Sequence, residues 1–117
     1  MSRIYHVDNS EFFRKLMKSF LAEIGHEAEG SAKGEDAIAV VNAGEADCVI
    51  TGMELIDMSG EEFVKRLIGS SSRAPIIVVT SNNDTAQEKR LEALGVKKVI
   101  QKAGEWKDEL SICLSNL

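Results

Sequence analysis

Short apolar runs alternate with helix-period segments five times along the chain. Arg3–Val7 reads as a short strand. Asn9 or Ser10 then offers an N-cap, and Phe12, Phe13, Leu16, Met17, Phe20, Leu21 and Ile24 fall on one helical stripe. Gly25 ends that helix, since glycine accepts the left-handed turn that closes a helix without steric cost. A weak strand covers Glu27–Ser31, and Ala37, Ile38 and Val41 mark a short amphipathic helix ending near Gly44. Cys48-Val49-Ile50-Thr51 is a compact apolar strand followed by a loop over Gly52–Ser59.

The second half repeats the pattern. Phe63, Val64, Leu67 and Ile68 line a third helix, and a polar connection leads to Pro75. Ile76-Ile77-Val78-Val79-Thr80 is a continuous β-branched run, which suits a strand covered on both faces. Asp84 caps a fourth helix with a thin stripe of Ala86, Leu91 and Leu94, and Gly95 ends it. Lys97–Gln101 is the fifth strand, and Trp106, Leu110, Cys113, Leu114 and Leu117 stripe the last helix. Strand-helix units repeated in this way predict a parallel sheet with helices on both faces, because each right-handed crossover must bury its own stripe.

Composition narrows the class. The chain has 117 residues, and no repeat or linker divides it, so one domain over residues 1–117 is expected. Hydrophobic residues are 44% and charged residues 28%, ordinary globular values. The net charge of −5 argues against nucleic-acid or anionic-membrane binding. No apolar run approaches the ~20 residues of a membrane span, and the N-terminus lacks a signal peptide's apolar core. Cys48 and Cys113 stand outside any Cys-x-x-Cys pattern and read as buried thiols of a cytoplasmic protein.

Chemistry in open α/β sheets gathers at the carboxyl ends of the strands, where strand order reverses. That places Asp8 and Asn9, Thr51 to Glu54, Thr80 and Ser81, and Lys102 on one rim. Several chemistries are missing from it: there is no dinucleotide or phosphate-loop glycine pattern and no Gly-x-Ser-x-Gly nucleophile elbow. His6 and His26 have no metal-ligand spacing. His6 reads as a packed, hydrogen-bonded strand residue and His26 as a surface one.

The segments Ile4–Ser10, Asp47–Gly60, Pro75–Ser81 and Gly95–Lys102 resemble the response-regulator receiver domain of two-component signalling. The resemblance spans essentially the whole chain. It implies a flavodoxin-like doubly wound (βα)5 fold with sheet order 2-1-3-4-5. It also implies an acidic pair after strand one, a phospho-accepting aspartate after strand three, a hydroxyl after strand four, a lysine after strand five, and Mg²⁺ among the acidic groups. Asp8 and Asn9 take the acidic-pair positions, Thr80 the hydroxyl position and Lys102 the lysine position. Counting from Asp47 forward or from Gly60 back, the acceptor position falls on Gly52, which has no side chain to phosphorylate.

Asn9 is neutral, and two prolines usual in the family are replaced by Ile56 and Ala103. Without proline, a cis bond costs ~2.5–4 kcal/mol, so a trans Lys102–Ala103 bond is expected. Each carboxylate lost at ~4 Å from a cation removes on the order of 4 kcal/mol per unit charge at an effective dielectric of about 20. Mg²⁺ binding is therefore doubtful, with Asp8 a weak candidate ligand and no cofactor expected. Glu54 and Asp57 are the possible substitute acidic groups, although Glu54 is displaced by roughly 6–7 Å if extended and Asp57 reads as solvated. Asp8 is the natural partner for Lys102 and Glu54 the alternative. Thr80 either caps the following helix or serves as a switch hydroxyl, and the family's aromatic switch position falls on Val99. Trp106 reads as core, with an exposed partner anchor as the other possibility.

These features give an expected non-enzymatic pseudo-receiver that signals through protein contacts. Its implied partners are a histidine kinase, an output domain or another regulator, with a possible homodimer through helix 4, strand 5 and helix 5. The alternatives are a phosphorelay receiver using Glu54 or Asp57, and a small-ligand or flavin binder with a pocket opened by Gly52.

Overall fold

Residues 2–70 and 72–117 are described by a computed structural model. Strands β1 (Arg3–Val7), β2 (Glu27–Ser31), β3 (Cys48–Thr51), β4 (Ile76–Thr80) and β5 (Lys98–Gln101) form one parallel sheet in the order β2-β1-β3-β4-β5. Helices α1 (Glu11–Glu23), α2 (Gly34–Asn42), α3 (Gly60–Ile68), α4 (Thr85–Leu94) and α5 (Trp106–Ser115) complete the alternation. This is the flavodoxin-like (βα)5 arrangement that the strand-helix rhythm predicts.

Period-two alternation along the strands sorts the core into two layers. Tyr5, Val7, Val49 and Val78 face α2, α3 and α4, where they meet Ala37, Val41, Phe63, Val64, Leu67 and Leu91. Ile4, Ile50, Ile77, Val79 and Ile100 face α1 and α5, against Phe13, Met17, Leu21, Leu110 and Leu114. Burial of one large apolar side chain is worth roughly 1.5–3 kcal/mol, and every helix except α4 buries at least two apolar side chains. Helix α4 buries Leu91 alone, in keeping with its thin stripe.

The helix ends follow their sequence signals with some revisions. Ser10, not Asn9, caps α1, its hydroxyl accepting from the Phe13 amide at 3.1 Å. Asp84 caps α4 through the Gln87 amide, so Thr80 has no capping role. The α1 stripe is narrower than its seven apolar positions suggest: Phe12 is 76% exposed, because it sits about 100° around the helix from buried Phe13. Ile24, Ile68 and Leu117 are likewise exposed where their helices end. Lys97 lies just outside β5, and its amide donates to the Ile76 carbonyl. All described peptide bonds are trans, including Lys102–Ala103.

Candidate functional site

The order β2-β1-β3 reverses direction between β1 and β3, and the residues following those two strands meet at their carboxyl ends. Asp8 follows β1 and is 3% exposed. Its Oδ1 accepts from the Ser10 amide at 2.9 Å, and its Oδ2 lies 2.8 Å from Lys102 Nζ. Lys102 reaches Asp8 from beyond β5, its amide held by the Thr80 carbonyl at 2.7 Å. The ammonium also sits 4.0 Å from the centroid of the Phe13 ring, so a carboxylate and an aromatic face hold it together.

Gly52 follows β3, and its amide donates to the Val7 carbonyl at 2.8 Å. A Cβ at Gly52 would lie 2.8 Å from Asp8 Oδ2. The carboxylate of Asp8 thus occupies the space into which a side chain at 52 would project. Gly60 packs its backbone against the Gly52 carbonyl and the Met53 Cα, too closely for a side chain at 60. Thr51 is fully buried and donates its hydroxyl to the Gly52 carbonyl at 2.8 Å, which directs it away from rim chemistry.

The remaining predicted residues divide. Thr80 is 5% exposed, and its hydroxyl accepts from the Asn82 amide at 3.0 Å. Glu54 is exposed and lines, with Asp8, Asn9, Thr80 and Lys102, a polar cleft of about 80 Å³. Asp57 is an exposed loop carboxylate, as its sequence context suggests, and it also serves a neighbouring helix. Its two oxygens accept from the Gly34 and Glu35 amides at 2.8 and 3.1 Å, so it caps α2 from the β3–α3 loop, where the helix's own N-cap residue, Lys33, makes no side-chain bond. Desolvation at that helix end opposes the charge, but the Glu35 and Gly34 amides outweigh it and hold the carboxyl below its ordinary pKa.

His6 is packed as expected, at 2% exposure, but it is not hydrogen-bonded: neither ring nitrogen has a partner among the described residues. Burial lowers its pKa from 6.5 to about 4; the Asp8 charge opposes this, while Lys102 and Arg14 add to it. His26 is half-buried rather than superficial and accepts from the Ser2 amide. Trp106 is half-buried against Phe13 and Phe20, with ring centroids 5.3 and 5.8 Å away, so it belongs to the α1–α5 layer. Cys48 is buried, which pushes its thiol up to about 12, and both cysteines are free.

Two neighbours of the site gave no sequence signal. Arg14 donates from Nη1 to the Asp8 carbonyl at 2.7 Å, and Phe13 supplies the face under Lys102. Helical periodicity marks Phe13 as core and Arg14 as surface, without showing what either meets across the fold.

The residues at the positions where the family holds its cation offer few free donors. Asn9 contributes no charge, Gly52 contributes no side chain, and both Asp8 oxygens already have partners. Among the described residues no group of three or more acidic, histidine or cysteine side chains could hold a metal.

The fold and rim define a flavodoxin-like α/β protein whose aspartate, threonine and lysine converge at the β1/β3 switch point. The chain belongs to the response regulator receiver domain family, which it matches over residues 4–111. It is 26% identical over 101 residues to the chemotaxis protein CheY of Thermotoga maritima, covering 86% of this chain and 84% of that protein. It is 23% identical over 100 residues to the Regulator of RpoS of Escherichia coli, covering 86% of this chain but 30% of that relative's length. The Vibrio cholerae chemotaxis protein CheY4 superposes with a TM-score of 0.87 at 25% identity, covering 100% of this chain and 99% of that one. Receiver domains are signalling modules, and no described helix here is long and apolar enough to cross a membrane.

Proposed function

We propose that this receiver is a pseudo-receiver, transmitting its signal through protein contacts without an aspartyl phosphate. One observation carries the reading: the Asp8 carboxylate fills the space beside Gly52 and is engaged by Lys102 and the Ser10 amide. Phosphoryl transfer depends on positioning and charge stabilisation, and both are spent on an internal ion pair. Lys102 already has a buried carboxylate partner, so the rim resembles a fixed state more than a switchable one. No Mg²⁺ requirement is part of this reading.

Glu54 supports the second reading, a phosphorelay receiver with a substitute acceptor, since it lines the rim cleft and makes no ion pair among the described residues. The cleft's volume of about 80 Å³ is far below the roughly 300–1,000 Å³ of small-molecule pockets, which disfavours a flavin there. We place the protein in the cytoplasm, with a histidine kinase, output domain or other regulator as partner. The contact surface, for a partner or a second copy, is the face of α4, β5 and α5, where Ile112 is 64% exposed.

Incubation with acetyl phosphate or beryllofluoride and Mg²⁺, read by intact mass and amide NMR, tests the reading. Unchanged mass and unchanged spectra at Asp8 and Thr80 are expected. A stoichiometric phosphate adduct, or an Mg²⁺-dependent shift at those residues, overturns it; an adduct lost in Glu54→Gln establishes the second reading instead.

A further inference from the structure

Strand β2 lies at one edge of the sheet, so one side of its backbone has no neighbouring strand. Two bonds frame its ladder, from the Glu27 amide to the Ser2 carbonyl at 3.0 Å and from the Asp8 amide to the Ser31 carbonyl at 3.1 Å. They turn the backbone groups of Glu27, Glu29 and Ser31 toward β1. Ala28 and Gly30 therefore point their amides and carbonyls outward, and none of these groups has a hydrogen-bond partner among the described residues. The register with β1 is unbroken from Glu27 to Ser31, so no bulge or proline blunts the edge.

The space beside this edge can take a chain. A groove of about 510 Å³ borders the first half of β2 and one of about 250 Å³ borders the second; both reach Lys18, Ala28 and Glu29, which makes them continuous. Ala28 offers only a methyl group, and Gly30 cannot carry a side chain, since a Cβ there would collide with the His6 carbonyl oxygen. The 5 residues of β2 span ~16 Å at ~3.3 Å each, enough to pair a segment of the same length.

The two walls differ in charge. Glu27 and Glu29 share the α2 side of the sheet with Tyr5, and Glu45 lines the groove there as well. Glu27 and Glu45 are exposed and form no ion pair among the described residues. The α1 wall brings Arg14, Lys15 and Lys18 against Glu11, and the Lys18–Glu29 pair that crosses the edge is 3.9 Å long and solvent-exposed. This division argues against a second copy as the occupant. Two β2 edges paired antiparallel share a two-fold axis normal to the sheet, which sets acid against acid on one face and base against base on the other. Like charges directly opposed across strands are destabilising.

We propose that the β2 edge binds an extended segment of a partner protein as a sixth strand, with basic side chains of the segment toward Glu27 and Glu29 and acidic ones toward Arg14 and Lys18. The outward amides and carbonyls of Ala28 and Gly30 supply the main-chain bonds, and side-chain alternation along a strand delivers the two charges to opposite walls. Strands β2 and β5 are opposite edges of the sheet, so this site is separate from the face of α4, β5 and α5. It stands whether or not the rim takes a phosphoryl group.

The test is amide NMR and hydrogen exchange on the full chain labelled with ¹⁵N, titrated into the millimolar range with a capped peptide of alternating Lys and Glu. A second peptide of the same composition in Lys-Lys-Glu-Glu order, which cannot sort its charges by face, is the comparison. The alternating peptide should give saturable shifts along β2 and, at saturation, slow exchange of the Ala28 and Gly30 amides roughly tenfold or more. Glu27→Lys combined with Glu29→Lys, both at exposed positions, should weaken binding roughly tenfold by turning attractive cross-strand pairs into repulsive ones. Ala28→Pro removes one outward amide without removing a bond to β1, and should weaken binding too. No saturation, equal binding of the two peptides, unprotected Ala28 and Gly30 amides, or undiminished binding in whichever of these variants folds would overturn the proposal. So would protection of the two amides that grows with protein concentration alone, which assigns the edge to a second copy.

Discussion

Replacing His6 with leucine should raise the stability of this domain and remove most of its sensitivity to mild acid. The ring is buried, its nitrogens have no partner among the described residues, and its pKa falls from 6.5 to about 4 on folding. Above about pH 6.5 the ring is neutral in both folded and unfolded chains, and its titration contributes nothing to the pH dependence. Between about pH 6.5 and about pH 4 the unfolded chain takes up a proton that the folded chain refuses, so stability is lost as pH falls. The full loss is about 3 kcal/mol, from the fall of 6.5 to about 4 at about 1.36 kcal/mol per pH unit, and about 2 kcal/mol of it has appeared by about pH 5. That is a large share of the roughly 5–15 kcal/mol available to a small domain. Denaturant unfolding followed by Trp106 fluorescence, at about pH 7.5 and about pH 5, measures it directly. His6→Leu should be more stable than the parent by about 1–3 kcal/mol at neutral pH, having no polar atoms left without partners, and by more at the lower pH. Parallel pH dependences for the two proteins would refute the reasoning.

Three further outcomes follow from the rim and its supports. Lys102→Met should destabilise the domain by about 3 kcal/mol, because it leaves the Asp8 carboxylate buried and uncompensated; Asp8→Asn combined with Lys102→Met should recover most of that in a double-mutant cycle. Gly52→Asp should lower the melting temperature at neutral pH, since two carboxylates ~4 Å apart repel by on the order of 4 kcal/mol at an effective dielectric of ~20. Acetyl phosphate should not label that variant, and unchanged stability together with labelling would show that Asp8 yields its place easily. Asp57→Ala should speed amide exchange at Gly34 and Glu35 by removing the carboxylate that caps α2, while exchange in α5 stays as it was.

The periodic parts of this fold were legible in sequence because burial itself is periodic. The ten elements fall in the predicted order, although β2 is mostly exposed and carries little apolar signal, and Ile76–Thr80, the most β-branched run, is buried throughout in β4. Errors cluster where a helix stripe has edges. Phe12 looks identical to Phe13 in a list of apolar positions, but one step of rotation puts it in water. Long-range partners were less accessible. Asp57 sits in a loop rich in small and polar residues, and nothing local marks it as the cap of a helix that begins at Gly34. From sequence His6 reads as satisfied because buried histidines usually are; Ala28 and Gly30, which offer it no polar side chain, lie on a strand more than twenty positions away.

The rim follows the same logic with a different result. The chain's departures at Asn9 and Gly52 are visible as letters, and they suggest a site with something missing. In three dimensions the vacated space is taken: Asp8 leans into it, Lys102 follows the carboxylate, and the Phe13 ring closes over the ammonium. Loss of the side chain at 52 removes the like charge that would otherwise raise the cost of burying Asp8 so close to it. A salt bridge at 22% and 4% side-chain exposure then joins the lysine and acidic positions of the rim. An aspartate introduced at 52 alone therefore places a second carboxylate against an ion pair already closed, and phosphoryl transfer to that side chain would require Asp8 to give up Lys102 first.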